Sequence, residues 1–311
     1  MSSPHGLKII EDLWFPDADL ILRAEDSIFR VYGGFLGARS SVFRDMISFP
    51  QPTTSTQTEE EMINGRAVVR LHDSAAEAAS FLRAVFDSSF FEPPPYPVEF
   101  EDTIGVLRLA HKYDVQYLFR RALAHLDVLY PTDLRKRDAQ THVRPPSRDT
   151  SNMISLKAAC EVGATWMLPT VYYVIAQEAS FLDRAADYMQ THQIQACLAA
   201  QSKLMRAQVS SYQFLRSLPL AGCVSSDCQE AVEEAYYELD NWRTNLWDMD
   251  PLGDFVFDDM DSELCPACLE FSAAQFSEAQ QAFWENLPAL FMLPNWDELK
   301  EMRRKAMEDA T

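Results

Sequence analysis

The spacing of hydrophobic residues changes along this chain, and the change limits the folds that it can adopt. Residues 17–24 (DADLILRA) and 27–32 (SIFRVY) alternate polar and apolar side chains, which is typical of half-buried strands. Residues 66–73 (RAVVRLHD) predict another strand. From residue 75 onward the hydrophobic spacing is almost entirely helical. The sequence therefore predicts an α+β protein, with a small sheet near its start followed by many helices.

Gly33, Gly34 and Gly37 lie close together in residues 29–46 (FRVYGGFLGARSSVFRDM). A phosphate-binding loop of the P-loop type requires a lysine after its last glycine, and none follows here. The Gly-x-Gly-x-x-Gly spacing of dinucleotide-binding folds is also missing. We therefore predict a bend between a strand and a helix, which requires the permissive backbone of glycine.

The predicted helices and the composition of the chain suggest two domains. The helices are residues 75–86, 102–113, 116–129, 151–164, 168–180, 192–217, 229–247, 274–286 and 295–308. Residues 131–150 are polar and contain prolines, which is typical of a linker. The predicted organisation is a tail at 1–12, a first domain at 13–130, a linker at 131–150 and an acidic helical domain at 151–311.

Five segments of the first domain occur in a recognisable order. They are DADLILRA, IFRVYGGFLGARSSVFRDM, VVRLHD, FLRAVFDSSF and VLRLAHKYDVQYLFRRALAHL. In this order they resemble the BTB/POZ domain, in the form expanded in mushroom-forming fungi. The resemblance implies a BTB/POZ fold, a small mixed sheet flanked by helices, followed by an all-α C-terminal domain. Residues 151–311 are similar to the helical, cysteine-bearing tail of those fungal proteins.

The BTB/POZ resemblance also implies a function. The family is not enzymatic: it forms homodimers or heterodimers and presents surfaces to protein partners, often cullin-type ubiquitin ligase scaffolds or transcriptional corepressors. Asp19 matches the acidic residue of the family's charged pocket. Tyr32 and Gly33 stand where the family usually has His-Lys, so Asp19 lacks its usual cationic neighbour unless Arg30 or Arg39 replaces it. The implied partner-binding residues are Asp19, Tyr32, Leu36, Ser40, Phe43 and Met46.

Two closely spaced cysteine pairs are the strongest chemical signal. Cys223 and Cys228 form C-x4-C, and Cys265 and Cys268 form C-x2-C. Thiolate pairs at these spacings can close a tetrahedral zinc site, so we predict a structural zinc that holds the C-terminal helices together. Two unrelated thiol pairs, or a redox pair at Cys265 and Cys268, remain the alternatives.

Charge and hydropathy restrict the partners further. Residues 221–311 contain 21 acidic and 5 basic side chains, which disfavours direct contact with nucleic acid. The longest uncharged apolar stretch, residues 162–177, is shorter than the roughly 20 residues of a membrane-spanning helix. We expect a location in the cytoplasm, the nucleus or both. Residues 248–259 partly imitate a calcium-binding loop, but Leu252 occupies a ligand position, which favours a solvated acidic loop.

The sequence as a whole predicts a non-enzymatic protein–protein interaction module that self-associates through its BTB/POZ domain and recruits partners. A substrate adaptor of a cullin-type ubiquitin ligase and a transcription-linked regulator are the alternatives within this class. A thiol redox protein that uses the C-x-x-C pair is the alternative from a different class.

Overall fold

The computed structural model describes residues 6–48, 62–63, 66–137, 143–144, 148–178, 180–244, 250–253 and 263–308. The strands are β1 (Lys8–Trp14), β2 (Leu20–Ala24), β3 (Ser27–Val31), β4 (Met62–Ile63), β5 (Arg66–Leu71), β6 (Val98–Glu99) and β7 (Val143–Arg144). The helices in the first half are α1 (Gly33–Arg39), α2 (Ser41–Ser48), α3 (Ala75–Phe86), α4 (Phe100–Lys112) and α5 (Gln116–Leu129). Those that follow are α6 (Arg148–Val162), α7 (Leu168–Gln177), α8 (Leu182–Tyr188), α9 (Thr191–Ser211), α10 (Ser226–Thr244), α11 (Pro266–Leu290) and α12 (Trp296–Met307).

A small mixed sheet occupies the start of the chain, with strand order β1-β3-β2-β5-β4. Strands β2 and β3 form the antiparallel hairpin that the alternating pattern predicts, and β5 joins β2 in parallel. Strand β1 pairs in parallel with β3, so it begins inside the segment predicted as a tail. This mixed sheet, together with the helices around it, confirms the predicted α+β class.

The glycine-rich stretch joins a strand to a helix as predicted, but its glycines do not form a turn of unusual backbone conformation. Gly33 is the first residue of α1, and Gly37 lies inside that helix. The described glycines with positive φ are Gly6, Gly163 and Gly222, so the expected permissive turn is wrong for this stretch. A Cβ on Gly37 would lie 3.3 Å from the Arg44 Cα of α2. At position 37, glycine is required because the two helices approach closely, and not because its φ is unusual.

The helices around the sheet follow the predicted pattern closely. Helix α3 has the predicted bounds, and the Ser74 side chain caps it by accepting a hydrogen bond from the Glu77 amide at 3.2 Å. Helix α5 also has the predicted bounds. Asp114, with φ of 55°, makes the turn between α4 and α5. The spacing of apolar residues was therefore sufficient to locate these elements.

The main apolar core extends from Leu13 to Leu299 and includes residues on both sides of the predicted linker. Arg303 of α12 contacts Asp127 of α5 through two hydrogen bonds of 2.7 Å. In the described part of the predicted linker, the Pro131 carbonyl accepts a hydrogen bond from the Thr170 hydroxyl at 3.0 Å. The two parts of the chain therefore pack against each other, and the domain boundary itself stays a prediction.

A second, smaller core lies apart from the main one. Its buried residues are Tyr212, Phe214, Leu215, Leu218, Cys228, Ala231, Val232, Ala235, Leu264, Cys268 and Phe276. It joins the end of α9 to α10 and to the start of α11, and it contains two of the predicted metal ligands. Of the helices in the described residues, none combines the length and the apolar character needed to cross a membrane.

Candidate metal centre

Each cysteine pair spans a turn and the beginning of a helix. Cys223 follows Gly222, whose φ of 91° suits glycine and strains other residues. The Cys223 amide donates a hydrogen bond to the Leu220 carbonyl at 2.9 Å. Cys228 lies in the first turn of α10. Cys265 directly precedes α11, which begins with a proline, and Cys268 lies in its first turn. The two turns present their four sulfur atoms to one point.

The four cysteine side chains form one cluster. The Sγ atoms of Cys223, Cys228, Cys265 and Cys268 all lie within 4.8 Å of one another, and those of Cys223 and Cys265 are 3.8 Å apart. A tetrahedral ion bound to thiolates at about 2.3 Å places neighbouring sulfurs about 3.8 Å apart. All four are free thiols. The cluster, which the sequence predicted, has the dimensions needed to hold a metal ion.

Backbone amides favour the thiolate form at part of the cluster. The Cys265 amide donates a hydrogen bond to the Cys228 sulfur at 3.0 Å. The backbone amide of Cys268, together with its thiol, lowers the pKa of Cys265 to about 7. Burial, in contrast, raises the pKa of Cys268 to about 12. A divalent cation would supply the positive charge that lets the buried sulfur deprotonate as well.

The cluster has the features of a closed structural site. Cys228 and Cys268 are fully buried, and Leu220, Leu264 and Leu269 pack around them. A catalytic zinc keeps one coordination position open for water, whereas four cysteines fill all four positions. The chemistry that this cluster supports is therefore the holding together of α10 and α11.

The carboxylate of the predicted partner-binding residue Asp19 is bound by neither Arg30 nor Arg39, the two possible replacements for the family's lysine. Its Oδ1 accepts a hydrogen bond of 2.8 Å from the Gly33 amide at the start of α1. Arg30 donates to the Ala18 carbonyl at 2.9 Å, and Arg39 lies over the rings of Phe35 and Tyr117. The described neighbours of Asp19 are therefore the N-terminus of α1 at its carboxylate and Arg66, which donates to its carbonyl at 3.2 Å.

The other predicted partner-binding residues separate into buried and exposed positions. Leu36, Ser40 and Phe43 are buried, and the Ser40 hydroxyl donates to the Tyr113 carbonyl at the end of α4. Met46 is partly buried against the main core. Buried side chains cannot touch a partner without rearrangement, so these residues support the surface from below. Tyr32, by contrast, is 38% exposed.

Tyr32 belongs to an aromatic patch that the sequence did not reveal, formed by Phe15, Tyr32, Phe35 and Phe86. Ring centroids are 5.3 Å apart for Phe15 and Tyr32, 5.7 Å for Phe15 and Phe86, and 5.3 Å for Phe35 and Phe86. Phe35 is 43% exposed. The four residues come from three separate segments, so only the folded chain brings them together.

Comparisons with protein-family models, with curated proteins and with solved structures gave no match to this chain. The BTB/POZ resemblance therefore stays a prediction from the sequence segments that carry it.

Proposed function

We propose that this chain is a non-enzymatic protein-interaction protein whose first part is a BTB/POZ domain. The order of its elements supports the proposal: a β2–β3 hairpin, two short helices, strand β5, helix α3 and the pair α4–α5. This is the order that the resemblance implies. The BTB/POZ domain associates with a second copy of the chain and recruits other proteins.

The aromatic patch is the observation that carries this proposal. Aromatic side chains are enriched in the centres of protein interfaces, because they bury a large area with few rotatable bonds. Tyr32 and Phe35 are both more than a third exposed, and Ile47, which is 38% exposed, lies beside Gly33 at the start of α1. Arg39 lies 5.4 Å from the Phe35 ring centroid and adds a cation to the edge of the patch. Together these residues form a mixed aromatic and cationic surface suited to a second copy.

Sedimentation equilibrium of the wild-type chain and of Phe35→Ser tests self-association through the patch. We expect a dimer for wild type and a dissociation constant at least about thirtyfold higher for the variant, the size typical of an interface hot spot. Tyr96→Ser is the matched control, because Tyr96 is an exposed aromatic residue, at 57%, outside the patch. A wild-type chain that stays monomeric, or a Phe35→Ser dimer as tight as wild type, contradicts the proposal.

The cysteine cluster supports a further part of the proposal, a structural zinc ion. Four sulfurs within 4.8 Å of one another, two of them in buried residues, suit zinc better than oxygen-preferring cations. Metal analysis of protein purified without chelator should find one zinc per chain. Cys265→Ser/Cys268→Ser should lose it, whereas Cys160→Ser, which changes an exposed cysteine outside the cluster, should keep it. The absence of zinc from the wild-type protein would refute this part.

One observation favours the thiol redox alternative. Cys265 precedes a helix, and its pKa is lowered to about 7, as in the reactive cysteine of a C-x-x-C pair. A thiol–disulfide exchange assay on metal-free and metal-loaded protein separates the two functions. Structural zinc predicts that metal suppresses the reaction of Cys265 with a disulfide, whereas a redox role predicts turnover in the protein as purified.

The identity of the partners needs affinity purification followed by mass spectrometry. Recovery of a cullin with wild type favours the ubiquitin ligase adaptor, and recovery of corepressors favours the transcription-linked regulator. In either case, a partner that binds through the aromatic patch should be lost from the Phe35→Ser variant and recovered with the Tyr96→Ser control.

A further inference from the structure

Residues Asp250–Gly253, the Asp-Pro-Leu-Gly turn, lie in the segment that the sequence assigned to a solvated acidic loop. That prediction is wrong for the four residues that the structure describes, whereas Asp248 and Asp259 lie outside the described residues. Leu252 is buried in the main core. The Asp250 carboxylate accepts hydrogen bonds from Arg137 Nη2, at 2.6 Å, and from the Tyr173 hydroxyl. The turn is therefore docked by its aspartate and its leucine.

The backbone of the turn is recognised as well as its side chains. The Leu252 amide donates to Asp250 Oδ1 and to the Tyr173 hydroxyl oxygen, at 3.2 Å each. The Leu252 carbonyl accepts from Arg137 Nη1, and the Gly253 carbonyl accepts from Gln280 Nε2 at 2.6 Å. The Gly253 amide closes the turn onto the Asp250 carbonyl at 2.9 Å. Main-chain groups of Leu252 and Gly253 are therefore paired with side chains from elsewhere in the fold, as main-chain groups of a peptide are in peptide-binding sites.

The fourth position of the turn, Gly253, favours glycine. A Cβ on Gly253 would lie 3.0 Å from Asp250 Oδ2 and 3.1 Å from its carbonyl oxygen. Any other residue would disturb the carboxylate that Arg137 binds. The site thus discriminates at two positions, with a carboxylate at the first and an apolar side chain at the third, and the fold of the turn itself favours glycine at the fourth.

The groups that bind the turn are remote from it in sequence. Arg137 is 113 residues from Asp250, and Gln280 is 27 residues beyond Gly253. Arg137 also lies 5.8 Å from the centroid of the Tyr173 ring, which fixes its guanidinium beside the carboxylate. A cavity of about 780 Å³ continues from Leu252 and Gly253 along α11. The three side chains that hold the turn, Arg137, Tyr173 and Gln280, therefore all come from elements outside it.

We propose that Arg137, Tyr173 and Gln280 form a peptide-binding site for segments of the type Asp-x-Leu-Gly, and that the chain's own turn occupies this site in cis. The partner is a protein segment that presents an aspartate two residues before a leucine, with glycine next. The positive charge of Arg137 and the buried leucine position select it. Such a segment competes with the internal turn, so the site adds a regulated interaction that uses none of the residues of the aromatic patch.

Binding of a labelled Asp-Pro-Leu-Gly peptide, blocked at both ends and carrying a neutral spacer, tests the proposal by fluorescence anisotropy. The chain with Asp250→Ala and Leu252→Ala has a vacated site and should bind the peptide saturably. Wild type should bind it at least tenfold more weakly, because its own turn competes. Arg137→Ala in the vacated chain should lower the affinity more than tenfold, and Lys136→Ala, which changes the exposed neighbouring cation, should not.

Peptide controls and a second readout keep the test decisive. Asn-Pro-Leu-Gly and Asp-Pro-Ala-Gly peptides should fail to bind the vacated chain. If that chain does not fold, as judged by circular dichroism, hydrogen exchange of the wild-type chain replaces it: excess peptide should accelerate exchange at the Leu252 and Gly253 amides. A folded, vacated chain that does not bind at millimolar peptide, or unchanged exchange in wild type, would overturn the proposal.

Discussion

Removal of the proposed zinc ion should release α10 while leaving the rest of the chain folded. In residues 226–237, the part of helix α10 whose burial is described, the buried side chains are small: Cys228, Ala231, Val232 and Ala235. One valine contributes about 2 kcal/mol and each smaller group about 0.8 kcal/mol, so apolar burial in this part supplies about 4 kcal/mol. A structural zinc site contributes about 10–16 kcal/mol in isolated zinc-finger peptides at pH 7. The metal should therefore dominate the docking of this helix.

Hydrogen exchange with mass spectrometry measures this effect directly. A loss of even 3 kcal/mol from the local opening free energy should accelerate the exchange of α10 amides more than about 100-fold, since 1.4 kcal/mol corresponds to tenfold. The protein is compared before and after treatment with a zinc chelator, and metal analysis confirms the removal. Helix α3, whose buried face packs in the main core, is the internal reference and should not change.

A cysteine variant tests the same effect without a chelator. Cys228→Ser should reproduce the effect of the chelator, whereas Cys160→Ser should exchange like wild type. Unchanged exchange of α10 after proven removal of the metal would refute the reasoning, because the small buried side chains would then suffice. Equal acceleration in α10 and α3 would refute it as well, because the metal would then stabilise the whole chain rather than one unit.

Two further predictions concern the first part of the chain. Gly37→Ala should destabilise the protein by about 1–3 kcal/mol, because the new Cβ would lie 3.3 Å from the Arg44 Cα. Gly34→Ala, whose Cβ meets nothing within 4 Å, should stabilise it by up to about 1 kcal/mol. Urea unfolding measures both changes, and a neutral or stabilising Gly37→Ala would contradict the close approach of α1 and α2. The Arg83 hydrogen bond lowers the pKa of Asp12, so this ion pair stabilises the fold above the ordinary aspartate pKa and is lost as pH falls through the lowered value. Thermal melts from pH 6 to pH 2 should show a smaller acid-induced loss for Asp12→Asn, and parallel curves for the two proteins would rule out this contribution.

The elements that were predicted correctly have signals within a few residues. Helix α3 combines an apolar stripe with the Ser74 cap, and both are visible in the sequence. The cysteine cluster was predictable because metal-ligand spacing is local within each pair, and four thiols have few alternative arrangements. Strand β1 was missed because its apolar residues do not alternate, and its pairing with β3 shifts register between Ile9 and Trp14.

The features that were not predictable depend on distant contacts. The aromatic patch brings Phe15 and Phe86 together across the fold, and no pattern links them in the sequence. The docked turn is a clearer case, because Asp250 appears as one of many acidic residues until Arg137 and Tyr173 are placed beside it. The charge of a segment predicts solvation only where no buried cation or hydroxyl group faces it.

The cysteine cluster also determines where this chain can tolerate changes of length. A metal that joins Cys223 and Cys265 closes a loop of 42 residues, and such a cross-link removes about 4 kcal/mol of loop entropy from the unfolded chain. Because this entropy depends only logarithmically on length, doubling the loop changes it by only about 0.6 kcal/mol. Insertions between the two pairs should therefore be thermodynamically cheap if they spare helix α10, the buried Leu264 and the four residues of the Asp-Pro-Leu-Gly turn. Related chains should accordingly differ in the length of this loop more than in the spacing within either cysteine pair.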